Sequence, residues 1–206
     1  MSATHRWRNV WTSPEERLIV QARDEEDWTR HRFLSNSEGD GAVAVVVDGS
    51  RILFIKAERP AIARSLWELP RGQADTTDSS PEATAARELL EETGIVAVES
   101  LLLGQIWPDS GLSGDAVNVV IVRVDPRADR ADAEYSTLRW IDVGRIGQEI
   151  ADNQIGDGIS ISALALAWAK GELCTAAAVP EVQQSPAANR TGPSRKSEGA
   201  GPRQLI

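Results

Sequence analysis

Along this chain the apolar positions fall into short dense runs, separated by polar joints that carry glycine or proline. Residues 42–47 (AVAVVV) and 51–56 (RILFIK) read as β-strands, with Asp48-Gly49-Ser50 between them as a hairpin turn. Residues 101–107 and 116–124 (AVNVVIVRV) predict two more strands, joined through a turn at Pro108-Asp109-Ser110-Gly111. Residues 135–141 and, nearer the N-terminus, 17–22 (RLIVQA) complete the strand set. Two stretches carry helix signals. Residues 81–93 have Ser79 or Ser80 as N-cap, Pro81 near the first position and Gly94 as the stop. Residues 159–170 are rich in alanine and leucine and end before Gly171.

Composition changes the picture at the C-terminal end. Of ten prolines, Pro180, Pro186, Pro193 and Pro202 lie beyond residue 174, in a stretch without aromatic residues. Such a segment buries too little apolar surface to offset ordering entropy, so residues 175–206 read as a disordered tail. Its four basic and two acidic residues leave the body of the chain at −11 against −9 overall. Asn189-Arg190-Thr191 matches a glycosylation signal and reads as a chance match. That acidity argues against nucleic-acid binding, which needs a basic footprint. No apolar run is long enough for a membrane helix, and the N-terminus lacks a signal-peptide pattern. The expectation is a cytoplasmic protein. With Cys174, His5 and His31 as its only cysteine and histidines, any metal should be held by oxygen.

The second half of the first helix carries the chemistry. At helical spacing Glu88, Glu91 and Glu92 share one side, while Ala83, Ala86 and Leu90 fall opposite and are expected to pack on a sheet. Three carboxylates at that spacing repel one another. Arg87 is the nearest cation, placed beside the acids and not one turn away. Mg²⁺ would offset the repulsion, because it takes hard oxygen ligands and is held by a few carboxylates together with substrate phosphates. A solvated acidic face is the ordinary alternative, and the clustering of like charge counts against it. The strand-like residues 66–69 lead through Pro70 and Gly72 into a polar loop ahead of the helix.

Residues 72–95 resemble the signature box of the Nudix hydrolases. Arg87-Glu88-Leu89-Leu90-Glu91-Glu92-Thr93-Gly94-Ile95 matches its second half at every defined position. The first half departs: one extra residue lies between Gly72 and Arg87, and Ser79 stands where the family has a glutamate, with Asp78 and Glu82 nearby. That departure bears on the loop geometry and the number of metals. The resemblance implies an α+β fold, an α/β/α sandwich around a mixed β-sheet. It divides the chain into a small β-rich N-terminal extension (1–40), a Nudix domain (41–174) and the tail.

The surroundings are similar to the ADP-ribose pyrophosphatase and nucleoside-diphosphate-sugar group. Trp67-Glu68-Leu69-Pro70-Arg71-Gly72 resembles that group's approach to the box, with Arg71 in place of alanine, and Trp107-Pro108 resembles its proline-bearing turn. Residues 157–169 resemble its closing helix. The resemblance implies Glu88, Glu91, Glu92 and the Arg71 carbonyl as ligands of Mg²⁺, with Mn²⁺ a possible substitute. It implies Glu92 or Glu88 as the most central of these ligands, Glu92 as a catalytic carboxylate, and Glu134 as general base, ahead of Asp132 and Asp129. Arg59 is expected on phosphate, Glu68 on metal or substrate, and Arg87 bracing the loop. Among seven tryptophans, Trp28 and Trp107 are the candidates for stacking a nucleobase; the others are expected to be structural. By the same analogy the N-terminal extension forms a homodimer.

The expected activity is hydrolysis of the pyrophosphate bond of ADP-ribose or a related nucleoside diphosphate sugar, giving a nucleoside monophosphate and a sugar phosphate. The alternatives are hydrolysis of nucleoside triphosphates or dinucleotide polyphosphates, and a non-catalytic protein that binds nucleotide sugars.

Overall fold

The computed structural model describes residues 6–35, 39–125, 134, 135 and 137–173. His5, Asp129, Asp132, Cys174 and the tail lie outside the described residues. Three strands, β1 (Arg8–Thr12), β2 (Leu18–Asp24) and β3 (Thr29–Ser35), form an antiparallel N-terminal sheet in the order β1-β2-β3. The sequence reading found only the middle one, because the outer two are polar and largely exposed.

The second sheet has seven strands: β4 (Gly41–Asp48), β5 (Arg51–Arg59), β6 (Arg64–Glu68), β7 (Arg71–Gly72), β8 (Ala97–Ile106), β9 (Val117–Val124) and β10 (Leu138–Asp142). Its main path runs β10-β5-β4-β9-β8, with β6 paired to β5 and β7 to β4. β4 and β9 are parallel and the other pairs antiparallel, so the sheet is mixed. Three helices cover it: α1 (Pro81–Thr93), α2 (Val143–Ala151) and α3 (Gly158–Ala169). The period of two along β4 sorts its side chains between layers. Val43, Val45 and Val47 join Phe54, Ile146 and Leu164 in the core on the α2 and α3 side. Ala42, Ala44 and Val46 join Ala85 and Leu89 in the core on the α1 side. The expected α/β/α sandwich is therefore what forms.

α1 starts and stops as its sequence dictates. The Ser80 hydroxyl accepts from the Ala83 N–H, Pro81 occupies the first turn, and Gly94 closes the helix at φ 70°. Its orientation differs from expectation. Ala85, Leu89, Glu92 and Thr93 are buried, whereas Leu90 is exposed and Ala83 and Ala86 are only partly covered. The helix turns part of its acidic side inward, because β7 passes beside it and brings polar backbone for those carboxylates to meet. α2 was not foreseen. Its nine residues are short for pattern recognition, although Asp142 caps Gly144 N–H and Val143 and Ile146 are buried. Among the described residues, no helix is long and apolar enough to cross a membrane.

Candidate active site

The acids of α1 meet the β6–β7 segment. The main-chain N–H of Arg71 donates to Glu92 Oε2 at 3.1 Å. The Glu88 carboxylate lies against Gly72, where a Cβ would fall 2.0–2.2 Å from its carboxyl atoms. A side chain at position 72 would therefore displace Glu88. Glu92 is only 7% exposed, and burial pushes its carboxyl up to about 8, opposed by the Arg71 N–H and reinforced by the charges of Glu88 and Glu134. Burial also raises Glu88, against the pull of Arg87.

Arg87 organises the loop ahead of the helix. Its guanidinium donates to Asp78 at 2.9 Å, to Glu88 at 2.8 Å, to Glu91 at 3.1 Å and to the Gln73 carbonyl at 2.8 Å. Contrary to the sequence reading, it reaches an acid one turn on, Glu91. Asp78 stands one place from Ser79 and supplies the acid facing Arg87. Those hydrogen bonds hold its carboxyl down to about 2, although its burial works the other way.

Glu68 is fully buried and takes two arginines. Arg59 donates to both its oxygens, at 2.9 and 2.5 Å, and Arg71 donates to Oε2 at 2.9 Å. Burial opposes its charge, but these bonds outweigh that and keep the carboxylate below its ordinary range. Glu68 thus holds the two guanidiniums and does not itself face open space, unlike the contact with metal or substrate expected of it. Arg71 also reaches Asp157, the N-cap of α3, at 3.3 Å. The Ser160 hydroxyl donates to Asp157 and accepts from Leu69 N–H at 2.9 Å, so α3 is tied to the same segment. Arg59, Arg71, Gly72, Pro108 and Ser113 help to line a cavity of about 460 Å³.

Glu134 arrives at the other end of α1. Its N–H donates to the Glu91 carbonyl at 2.9 Å, and Tyr135 N–H donates to the Glu92 carbonyl at 3.0 Å. The exposed Trp107 lines a second cavity, of about 400 Å³, with Trp7, Arg30, Arg32 and Ser113. Trp28 is not part of it; it sits at the turn between β2 and β3 with Arg30 over its ring at 4.6 Å. Trp7, expected among the structural tryptophans, lines this cavity instead. Only the path of the chain brings Trp7 and Trp107 to one cavity, so nothing local in the sequence marks Trp7.

The donor set suits a hard divalent cation. Every candidate side-chain ligand is a carboxylate, and Glu92 is a buried carboxylate with no basic side chain paired to it among the described residues. As they stand, no three acidic, histidine or cysteine side chains among the described residues converge on one point, since Arg87 draws Glu88 and Glu91 to itself.

Residues 37–160 match the family model for the NUDIX domain. The chain belongs to the NUDIX family. It is 30% identical over 128 residues to an ADP-ribose pyrophosphatase of Mycobacterium tuberculosis, covering 59% of this chain and 62% of the relative. It is 35% identical over 90 residues to an ADP-ribose pyrophosphatase of Bacillus subtilis, covering 44% of this chain and 48% of the relative. The match thus spans about three-fifths of the first relative's length and half of the second's. A solved structure described as an ADP compounds hydrolase superposes with a TM-score of 0.64 at 18% identity, over 82% of this chain and 95% of that one, and shows the shared fold.

Proposed function

We propose that this chain is a metal-dependent pyrophosphohydrolase of ADP-ribose or a related nucleoside diphosphate sugar, releasing a nucleoside monophosphate and a sugar phosphate. The observation that carries the reading is the arrangement around Gly72: carboxylates on one side and, adjoining, a cavity with Arg59 and Arg71 in its wall. Glu88, Glu91 and Glu92, with the Arg71 carbonyl, would hold Mg²⁺, or Mn²⁺ in its place. When bound, the ion supplies charge neutralisation at the phosphate oxygens and lowers the pKa of water.

The chain's own groups do the rest. Arg59 hydrogen-bonds the non-bridging phosphate oxygens, with Glu68 fixing its orientation. Glu134 takes a proton from the attacking water as its oxygen bonds to one phosphorus and the bridging P–O bond breaks. Arg87 keeps Asp78 and the Gln73 carbonyl when Glu88 and Glu91 turn to the cation. Trp107 and Trp7 receive the nucleobase in the second cavity.

The reading includes a homodimer and a cytoplasmic location. Support for the dimer comes from the N-terminal sheet, where Trp11, Val20 and Phe33 lie in register across three strands and both Trp11 and Phe33 are exposed.

The test is product release from ADP-ribose, nucleotide sugars, dinucleotide polyphosphates and nucleoside triphosphates, with Mg²⁺ and with chelator. Preferred, metal-dependent conversion of ADP-ribose to AMP and ribose phosphate is expected. Preference for a triphosphate or dinucleotide polyphosphate would overturn the substrate, and binding without turnover would overturn the enzyme.

A further inference from the structure

The Trp107 cavity holds more positive charge than an uncharged base requires. Its lining includes Arg30, Arg32 and the serines Ser110 and Ser113 and, among the described residues, no acidic residue, in a chain of net charge −9. Three guanidiniums gather on this face of the N-terminal sheet. Arg23 and Arg32 lie over the Trp7 ring, 5.1 and 4.4 Å from its centroid. Arg23 and Arg30 share one carboxylate, Glu25, at 2.5 and 3.6 Å. Arg32 donates from Nε to the neutral Gln21 Oε1 at 2.9 Å and has no acidic partner among the described residues. Arg30 Nε is buried without a hydrogen bond.

The cavity is also held in place. Phe33 N–H donates to the Leu112 carbonyl and Gly114 N–H to the Phe33 carbonyl, both at 2.8 Å, so the 108–115 loop is clamped to β3. A Cβ on Gly114 would run into the Leu34 side chain and lie 3.5 Å from Arg32, so it is the bare glycine that lets the loop come so close to β3. Ser113 lines both this cavity and the one holding Arg59 and Arg71. The two cavities therefore adjoin at Ser113.

The diphosphate to be cleaved would be served by Arg59, Arg71 and the α1 acids. That leaves Arg32, without an acidic partner among the described residues, and beside it Arg30, which shares Glu25 with Arg23, for a second anion. Arginine forks match phosphate oxygens, tryptophan faces match bases, and a phosphate monoester carries nearly two charges near neutral pH. We propose that this cavity selects a nucleoside whose ribose bears a phosphate monoester, at the 2′ or 3′ position, in addition to the diphosphate. The inference rests on the pyrophosphohydrolase reading above and names its substrate class.

The experiment compares kcat/KM for ADP-ribose, 2′-phospho-ADP-ribose and 3′-phospho-ADP-ribose. One phosphorylated substrate is expected to be preferred by about tenfold or more. Arg32→Ala should collapse that ratio and Arg32→Lys should restore part of it, which a merely structural arginine would not do. Equal kcat/KM for all three, or an unchanged ratio in Arg32→Ala, overturns the proposal. In parallel, tryptophan fluorescence measures binding of AMP, adenosine 2′,5′-bisphosphate and adenosine 3′,5′-bisphosphate. A tenfold gain for one bisphosphate supports the cavity even if nothing is hydrolysed, which would sink only the hydrolase reading. No gain overturns the cavity whatever the activity.

Discussion

The main-chain N–H of Arg71 donates to Glu92 Oε2 at 3.1 Å, while the side chain of the same arginine holds Glu68 at 2.9 Å and Asp157 at 3.3 Å. One residue thus fixes a buried carboxylate of the helix through its backbone and the cavity wall through its guanidinium. The candidate ligands and the candidate phosphate contacts are set by a single two-residue strand, and changes at either side should separate cleanly.

Glu92→Gln keeps an oxygen that can accept the Arg71 N–H, so the fold should persist. Metal-dependent turnover should fall by at least about a hundredfold. Circular dichroism and product release on the same preparation check this; full activity in the variant would remove Glu92 from the site.

Gly72→Ala drives a methyl into the Glu88 carboxylate. Because the obstacle is the end of a side chain that can swing away, the melting temperature should change by only a few degrees. The Mg²⁺ needed for half-maximal rate should rise by about tenfold or more. A metal titration with the melting curve beside it separates this from unfolding.

Arg59→Ala leaves Glu68 with Arg71, so the buried carboxylate keeps a partner. KM should rise about tenfold or more with a smaller change in kcat, as expected where a phosphate contact is already made in the ground state. An unchanged KM would place the phosphate elsewhere.

Asp78→Asn tests the loop brace through pH. Hydrogen bonds from Arg87 lower this carboxyl from 3.8 to about 2 in the folded protein. Its contribution is therefore fully present above the unfolded value of 3.8 and is lost as pH falls through about 2. The wild type should exceed the variant by about 1–2 kcal/mol near pH 6, and the gap should shrink steadily below pH 4 and close only below about pH 2. Urea midpoints across that range decide it; a gap independent of pH would mean Asp78 acts through shape and not charge.

Much of this was legible in the sequence, and the gaps have physical causes. α1 was readable to the residue because its signals are local: a serine cap, a proline and a left-handed glycine. Its facing was not, since Glu92 is buried by a strand twenty residues upstream and no helical period reports that. Trp7 was missed beside the second cavity for the same reason, since the path of the chain alone brings it and Trp107 to one wall, and Asp78 was visible near the box but not as the acid that Arg87 holds. β1 and β3 escaped notice because a sheet exposed on one side needs no dense apolar run.

The hydrogen bonds from Glu134 and Tyr135 to the last turn of α1 have a consequence for how the chain can vary in length. Glu134 is positioned from the helix that bears the acids, like a post set from one wall of a room. A single residue inserted between Glu134 and Leu138, where β10 begins, shifts either the strand or the carboxylate out of register. The spacing from Glu134 to Leu138 is thus a ruler between helix and sheet.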